Sequence, residues 1–123
     1  MTELRGLQLS LEEFRRRGIE VLAVSPDSVD QNRGVVEKLG LDFRILSDPD
    51  LALTRALGLE HAGMGPGGTD VPRPATLIVR EGAIRWRHLT DNWRVRPRPE
   101  TILAALSDLD DRAALDERGA PAL

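Results

Sequence analysis

The sequence contains no cysteine in its 123 residues. That absence excludes a disulfide, a thiolate nucleophile and a Cys-ligated metal within this chain. Histidine is nearly missing as well: His61 and His88 are the only two, which argues against a His-based metal site. Tyrosine is absent and aromatic residues make up 3%, so a core has to be assembled from Leu, Val, Ile and Ala. No apolar run approaches the ~18 residues of a membrane span. The first residues, Met1-Thr2-Glu3-Leu4-Arg5, are charged and amphipathic, unlike the basic start and apolar stretch of a secretion signal. A soluble, cytoplasmic protein is expected, with no membrane partner. Lys38 is the single lysine among 17 basic residues, a bias that reads as genome composition. The net charge of -3 gives no general attraction to nucleic acid.

What is present suits one domain: 41% hydrophobic residues in a chain of this length can bury a real core. Leu4, Leu7, Leu11 and Phe14 recur at spacings of three and four, which predicts a helix over residues 2–17, closed by Gly18. Ile19 to Val24 is apolar and rich in branched side chains, as a buried strand is, and Ser25-Pro26-Asp27 ends it. Ser28 and Gln31 have the spacing of a capping box, followed by Val35, Val36 and Leu39 on one face and Gly40 as a stop. Asp42 to Leu46 alternates polar and apolar, as a half-buried strand does. Asp48-Pro49-Asp50 can open a further helix, with Asp48 as cap, Pro49 in the first turn and Gly58 at the far end.

Residues 60–72 hold four Gly and two Pro and read as a loop. Ala75 to Val79 is a strand, Glu81-Gly82 a turn, and Ala83 to Leu89 its hairpin partner. Arg94 to Pro99 is a basic connector, and Glu100 to Leu106 restarts a helical pattern that weakens beyond Leu106. The expectation is therefore one α/β domain over residues 1–106 with a tail over 107–123. Alternating strands and helices call for a sheet with helices on both faces, and the hairpin adds an antiparallel edge.

Four landmarks give this order a family likeness: Glu3-Leu4-Arg5 with Leu7, Val21-Leu22-Ala23-Val24-Ser25 with Asp27, Leu46-Ser47-Asp48-Pro49, and Arg73-Pro74-Ala75-Thr76. Their identity and order resemble the AhpC/TSA, or peroxiredoxin, family of antioxidant proteins with a thioredoxin-like fold. The resemblance covers residues 3 to about 106. It implies a central mixed sheet flanked by helices, incomplete at the N-terminus. In the family, a Pro-x-x-x-Thr-x-x-Cys loop leads into the first long helix, and a Glu commonly follows that Cys by three residues. If Glu3 matches that Glu, the Cys falls just before Met1, and the strand preceding the loop is missing with it. A misplaced start or a gene remnant is one expectation; a short chain that binds a partner is another.

The same likeness implies roles for individual residues. Arg73 matches the Arg that hydrogen-bonds the peroxide and favours the attacking thiolate, in keeping with what a guanidinium does to a neighbouring thiol. Pro74 matches a cis-proline before a strand, so a cis bond is predicted there. Thr76 and Glu3 fall at pocket or structural positions. Family relatives use a peroxide substrate and a thiol reductant. No cofactor and no metal are expected. Without its thiolate this chain is expected to be inactive as a peroxidase, because Thr2 and Ser10 have no paired base and an alcohol has too high a pKa to stand in. A non-catalytic binding or dimerisation module, such as a homodimer closing the sheet, is the alternative.

The remaining conspicuous residues have plainer readings. Gly63 to Gly68 lacks the strand-before, helix-after context and the Lys-Ser or Lys-Thr of a phosphate loop, so it reads as a loop bordering the pocket. Asp27, Asp48 and Asp50 are explained by helix starts. Trp86 fits the inward face of the hairpin and Trp93 the underside of the connector. Arg94, Arg96 and Arg98 read as a solvated basic loop. Arg15, Arg16 and Arg17 suit the negative end of a helix dipole.

Overall fold

The computed structural model describes residues 2–90 and 96–117. Trp93 and Arg94 lie outside them. The first amphipathic run forms two helices, α1 (Thr2–Leu9) and α2 (Leu11–Arg16), where one was predicted. Ser10, at φ -99 and ψ 2, interrupts the regular geometry. The hydrogen bonds Ser10 N to Gly6 O and Phe14 N to Ser10 O nonetheless run on through it, both at 3.2 Å. The apolar stripe therefore survives: Leu11 and Phe14 are buried, with Leu4 and Leu7 packed alongside. Gly18, at φ 73, ends the unit, and the Ile19 amide closes back on Phe14 O at 3.0 Å.

The strand β1 (Leu22–Ser25) leads to α3 (Val29–Leu39) through the predicted capping box. The Ser28 hydroxyl accepts from the Gln31 amide at 3.1 Å, and the Gln31 side chain accepts from the Ser28 amide at 2.8 Å. Gly40 stops the helix in the left-handed region, as predicted. The strand β2 (Arg44–Ser47) then pairs parallel to β1, Leu22 opposite Arg44 through Ser25 opposite Ser47. The next helix, α4 (Ala52–Ala56), starts later than Asp48-Pro49 suggests, because Leu51 turns into the left-handed region (φ 57) before the first helical residue.

The predicted loop over 60–72 carries a small ladder of its own. The strands β3 (Glu60–His61) and β4 (Val71–Pro72) pair antiparallel around a single 3-10 turn at Pro66–Gly68. The hairpin of β5 (Ala75–Arg80) and β6 (Ala83–Leu89) forms as predicted. Both turn residues, Glu81 (φ 54) and Gly82 (φ 76), have positive φ, the requirement of a type I′ turn. Opposite Ile78 and Val79 the register shifts from Trp86 to Ile84, so Arg85 is the extra residue of a bulge.

The last helix, α5 (Pro99–Glu117), continues well past the expected weakening at Leu106. Its second half is anchored by side chains that a stripe count undervalues. Leu109 packs on the core, Arg80 pairs with Asp110 at 2.8 Å, and Arg17 donates to Ser107 at 2.9 Å. The expected tail boundary at 106–107 thus falls inside a helix.

Two clusters form the core. Phe14, Ile78, Ile102 and Leu106 make one; Leu11, Leu41 and Phe43 make the other; Leu7 and Val21 pack against both. Parallel and antiparallel pairs are both present, as a mixed thioredoxin-like sheet requires, but among the described residues no ladder joins β1–β2 to β5–β6. Ala23 and Ile45 face the second cluster, while Leu22, Val24 and Leu46 on the opposite face of the parallel pair are exposed.

The predicted cis bond at Pro74 is corrected by the structure: no described peptide bond is cis. Trans is the intrinsic preference of an X–Pro bond by about 0.5–1 kcal/mol. The trans chain also satisfies its neighbours, since the Arg73 amide donates to Leu59 O at 2.6 Å and Pro74 O accepts from the Thr90 amide at 3.2 Å. Nothing in these contacts favours the other isomer.

Candidate functional site

The four sequence-predicted residues come from two elements. Arg73 and Pro74 form the short link between β4 and β5, and Thr76 is the second residue of β5. Glu3 sits in the first turn of α1. Thr76 lies opposite His88 in the hairpin register. The approach of α1 to α5 is close: a Cβ on Gly6 would lie 3.6 Å from Pro99 Cγ.

Glu3 has a definite partner there. Arg96 Nε stands 2.9 Å from Glu3 Oε2. Arg96, expected in a solvated loop, is instead tied across to α1, because Glu3 is a half-buried carboxylate that needs a cation beside it. Burial raises the Glu3 pKa above its ordinary value; Arg96 and His88 pull it back down without cancelling the effect. His88 therefore has an electrostatic role that its position on a strand did not reveal. The half-buried Arg73 is held by its backbone between Leu59 and the strand.

A second polar constellation gathers at the carboxyl ends of β1 and β2. Buried Asp48 accepts from the Leu53 amide at 3.1 Å, the Thr54 amide at 2.9 Å and the Thr54 hydroxyl at 2.8 Å. These donors, the Thr54 amide foremost, hold its pKa below the usual Asp range. Asp48 is not the cap residue that was predicted, since Leu51 holds that position and Pro49 lies outside the helix, but its carboxylate still accepts from the first-turn amides of α4. Asp50 contributes its carbonyl to Arg55 rather than a charge to the dipole.

Sequence reasoning missed the Arg55 cluster. Arg55 Nε donates to Glu60 Oε2 at 2.8 Å, Nη1 donates to Asp50 O at 2.8 Å, and Nη2 lies 3.8 Å from Asp70 Oδ2. Asp70 Oδ1 accepts from the Gly63 amide at 2.9 Å. That bond, then Glu60 and Arg55, depresses the Asp70 pKa. The only available signal was the Arg55–Glu60 spacing across the helix stop at Gly58, which no regular period marks. An open cleft of about 590 Å³ lies here, bordered by Pro26, Pro49, Leu51, Arg55 and Thr69.

Chemically, the first region offers a guanidinium at Arg73, a poorly solvated carboxyl at Glu3 and a hydroxyl at Thr76. It offers no thiol, because the sequence has none.

The model of the AhpC/TSA family matches residues 1–87. Peroxiredoxin Bcp of Xanthomonas campestris is 33% identical over 109 residues, which cover 85% of this chain and 66% of that protein. A crystal structure of the bacterioferritin comigratory protein from Xanthomonas campestris superposes with a TM-score of 0.66 at 26% identity, covering 97% of this chain and 70% of the other. Reduced Prx3 from Vibrio vulnificus, crystallised with hydrogen peroxide, shares the fold at a TM-score of 0.76 and 23% identity, over 85% of this chain and 66% of that one. The chain spans about two thirds of the length of the bacterial Bcp relatives and 39% of that of the Pyrococcus peroxiredoxins. A family match over residues 1–87, most of the sequence, makes the conclusion direct: this chain belongs to the AhpC/TSA family and has its thioredoxin-like fold.

Proposed function

We propose that these residues are the scaffold and peroxide-facing wall of a thiol peroxidase, and that the 123-residue chain does not itself reduce peroxides. The observation that carries this is the pairing of a family match over residues 1–87 with a sequence that holds no cysteine. In the reaction assigned to a full-length protein, a cysteine thiolate attacks one peroxide oxygen. The O–O bond breaks, water or an alcohol leaves after protonation, and the sulfur becomes a sulfenic acid that a second thiol reduces. Arg73 would stabilise the thiolate and the developing charge on oxygen, with Pro74 and Thr76 lining the approach and Glu3 holding α1 against Arg96. The substrate is a peroxide and the partner a thiol reductant, in a cytoplasmic setting.

Peroxide consumption by the purified chain, with dithiothreitol as reductant, tests the reading. A rate equal to the protein-free blank is expected; turnover above it would overturn the proposal. The intact mass of the protein from its native source tests the other half. A mass above 13.6 kDa by a thiol-bearing segment fits the scaffold role. A mass equal to this chain turns the reading towards a binding module.

One observation favours that second reading. The parallel pair leaves Leu22 (46% exposed), Val24 (45%) and Leu46 (39%) on an uncovered face, and β1 and β5 each have one edge outside any described ladder. A homodimer would cover such surface. Light scattering of the pure chain at high concentration distinguishes a dimer from a monomer.

A further inference from the structure

We propose that residues 62–70 form a strap closed beside the cleft at the carboxyl ends of β1 and β2, with Arg55 as the latch that holds it. The inference stands independently of any peroxide chemistry.

The strap is built to move as a unit. Its two ends are zipped by only two residue pairs, Glu60 with Pro72 and His61 with Val71. Within it the chain is tightly folded. The Gly65 amide donates to Thr69 O at 2.7 Å, and the Thr69 hydroxyl donates to Pro66 O at 2.9 Å. Gly65 has room for nothing larger, since a Cβ there would stand 2.5 Å from Thr69 Oγ1 and 2.9 Å from Thr69 O. Gly63, Gly67 and Gly68 all take positive φ, which glycine adopts at low cost.

The side chain that bridges this unit to the body is Arg55. It belongs to α4, whose start is fixed by Asp48, and it holds β3 just before the strap, at Glu60 by a 2.8 Å hydrogen bond, and the strap's far end at Asp70 across 3.8 Å. Asp70 in turn holds Gly63, so one guanidinium draws the near and far legs of the strap together. The charges around the latch are Glu60, Asp70 and Asp50, with His61 next along β3. One cation facing two close carboxylates is a contact that salt weakens and that lysine, with a single ammonium, cannot reproduce. The strap also runs through β4 directly into Arg73.

Amide hydrogen exchange of the full chain tests this, read at Gly63 and Gly65 in the strap and at Val24 and Ile78 in the strands. Arg55→Met should speed exchange at both glycines by about two- to fivefold while leaving Val24 and Ile78 unchanged. Arg55→Lys should fall between. In the wild-type chain, raising NaCl from about 0.05 to 1 M should speed the glycines in the same direction by a smaller factor. Unchanged glycine exchange in Arg55→Met would overturn the latch, as would equal acceleration at all four amides. If the variants do not fold, the salt series decides: salt-independent exchange at Gly63 and Gly65 overturns the proposal.

Discussion

The two halves of this molecule are stabilised by different means. The hairpin half, comprising β5, β6 and α5, is held by apolar contacts between residues far apart in sequence: Phe14 of α2 and Ile78 of β5 meet Ile102 and Leu106 of α5. The parallel half, comprising β1, β2, α3 and α4, has its own apolar cluster around Leu41 and Phe43 and adds short-range polar contacts to it: the Ser28–Gln31 box, Asp48 with Thr54, and the buried Asn32. Each half also carries one notable carboxyl near a helix start, and the two are shifted oppositely. Asp48 has donors all round and is easier to ionise; Glu3 has burial and one main cation and is harder to ionise. A buried carboxylate is stabilised by the number of N–H and O–H groups aimed at it rather than by the sign of the nearest charge alone.

The largest effect should come from Leu106, 1% exposed and central to the hairpin half. Leu106→Ala is expected to cost about 2–5 kcal/mol in urea unfolding, through lost burial and the cavity left behind. A loss of the same size from a polar change in the parallel half would break the contrast.

Next comes Asp48→Asn, which keeps the shape but loses the charge. Because the folded pKa of Asp48 is depressed, its contribution is present above the ordinary Asp value of 3.8 and fades as pH falls through the lower folded value. The variant should unfold more easily at neutral pH and lose part of the wild type's decline in acid, as measured by thermal melts from pH 7 to pH 2. Amides of Leu53 and Thr54 should exchange faster while Ile78 does not change.

Glu3→Gln should have the smallest effect and the opposite sign. A folded pKa raised above 4.5 means that protonation favours the native state, so the Glu3 contribution is present at low pH and is lost as pH rises through the folded value. Replacing it should leave neutral-pH stability equal or slightly higher and remove that acid-side gain. A clear loss at pH 7 would show that the Arg96 pair outweighs burial.

Much of the framework was legible because its signals are local. The capping box at Ser28, the Gly40 stop and the Glu81-Gly82 turn each depend on the geometry of a few consecutive residues. The break at Ser10 was not legible, because a single residue leaving helical angles keeps the same apolar spacing. The length of α5 was hidden because Asp110 and Ser107 earn their places through Arg80 and Arg17, thirty and ninety residues away. The ladder inside the Gly-rich segment was hidden because two-residue strands leave no period. At the candidate site, the Arg-Pro-Ala-Thr string located the start of β5, but the isomer at Pro74, the Arg96 partner of Glu3 and the Arg55 cluster all depend on tertiary neighbours.

The bulge at Arg85 bears on how copies of this protein meet. Among the described residues β6 pairs only with β5, so one rim of the hairpin is open to another strand. That rim is irregular at Arg85, and Arg85 and Arg87 are both exposed on it. A kinked strand bearing two guanidinium groups is a poor template for a second β6, since the incoming copy would bring the same positive charges. Crowded molecules are thereby steered away from growing a continuous sheet through their hairpins, and a solution of this chain should resist fibre formation along that rim even when concentrated.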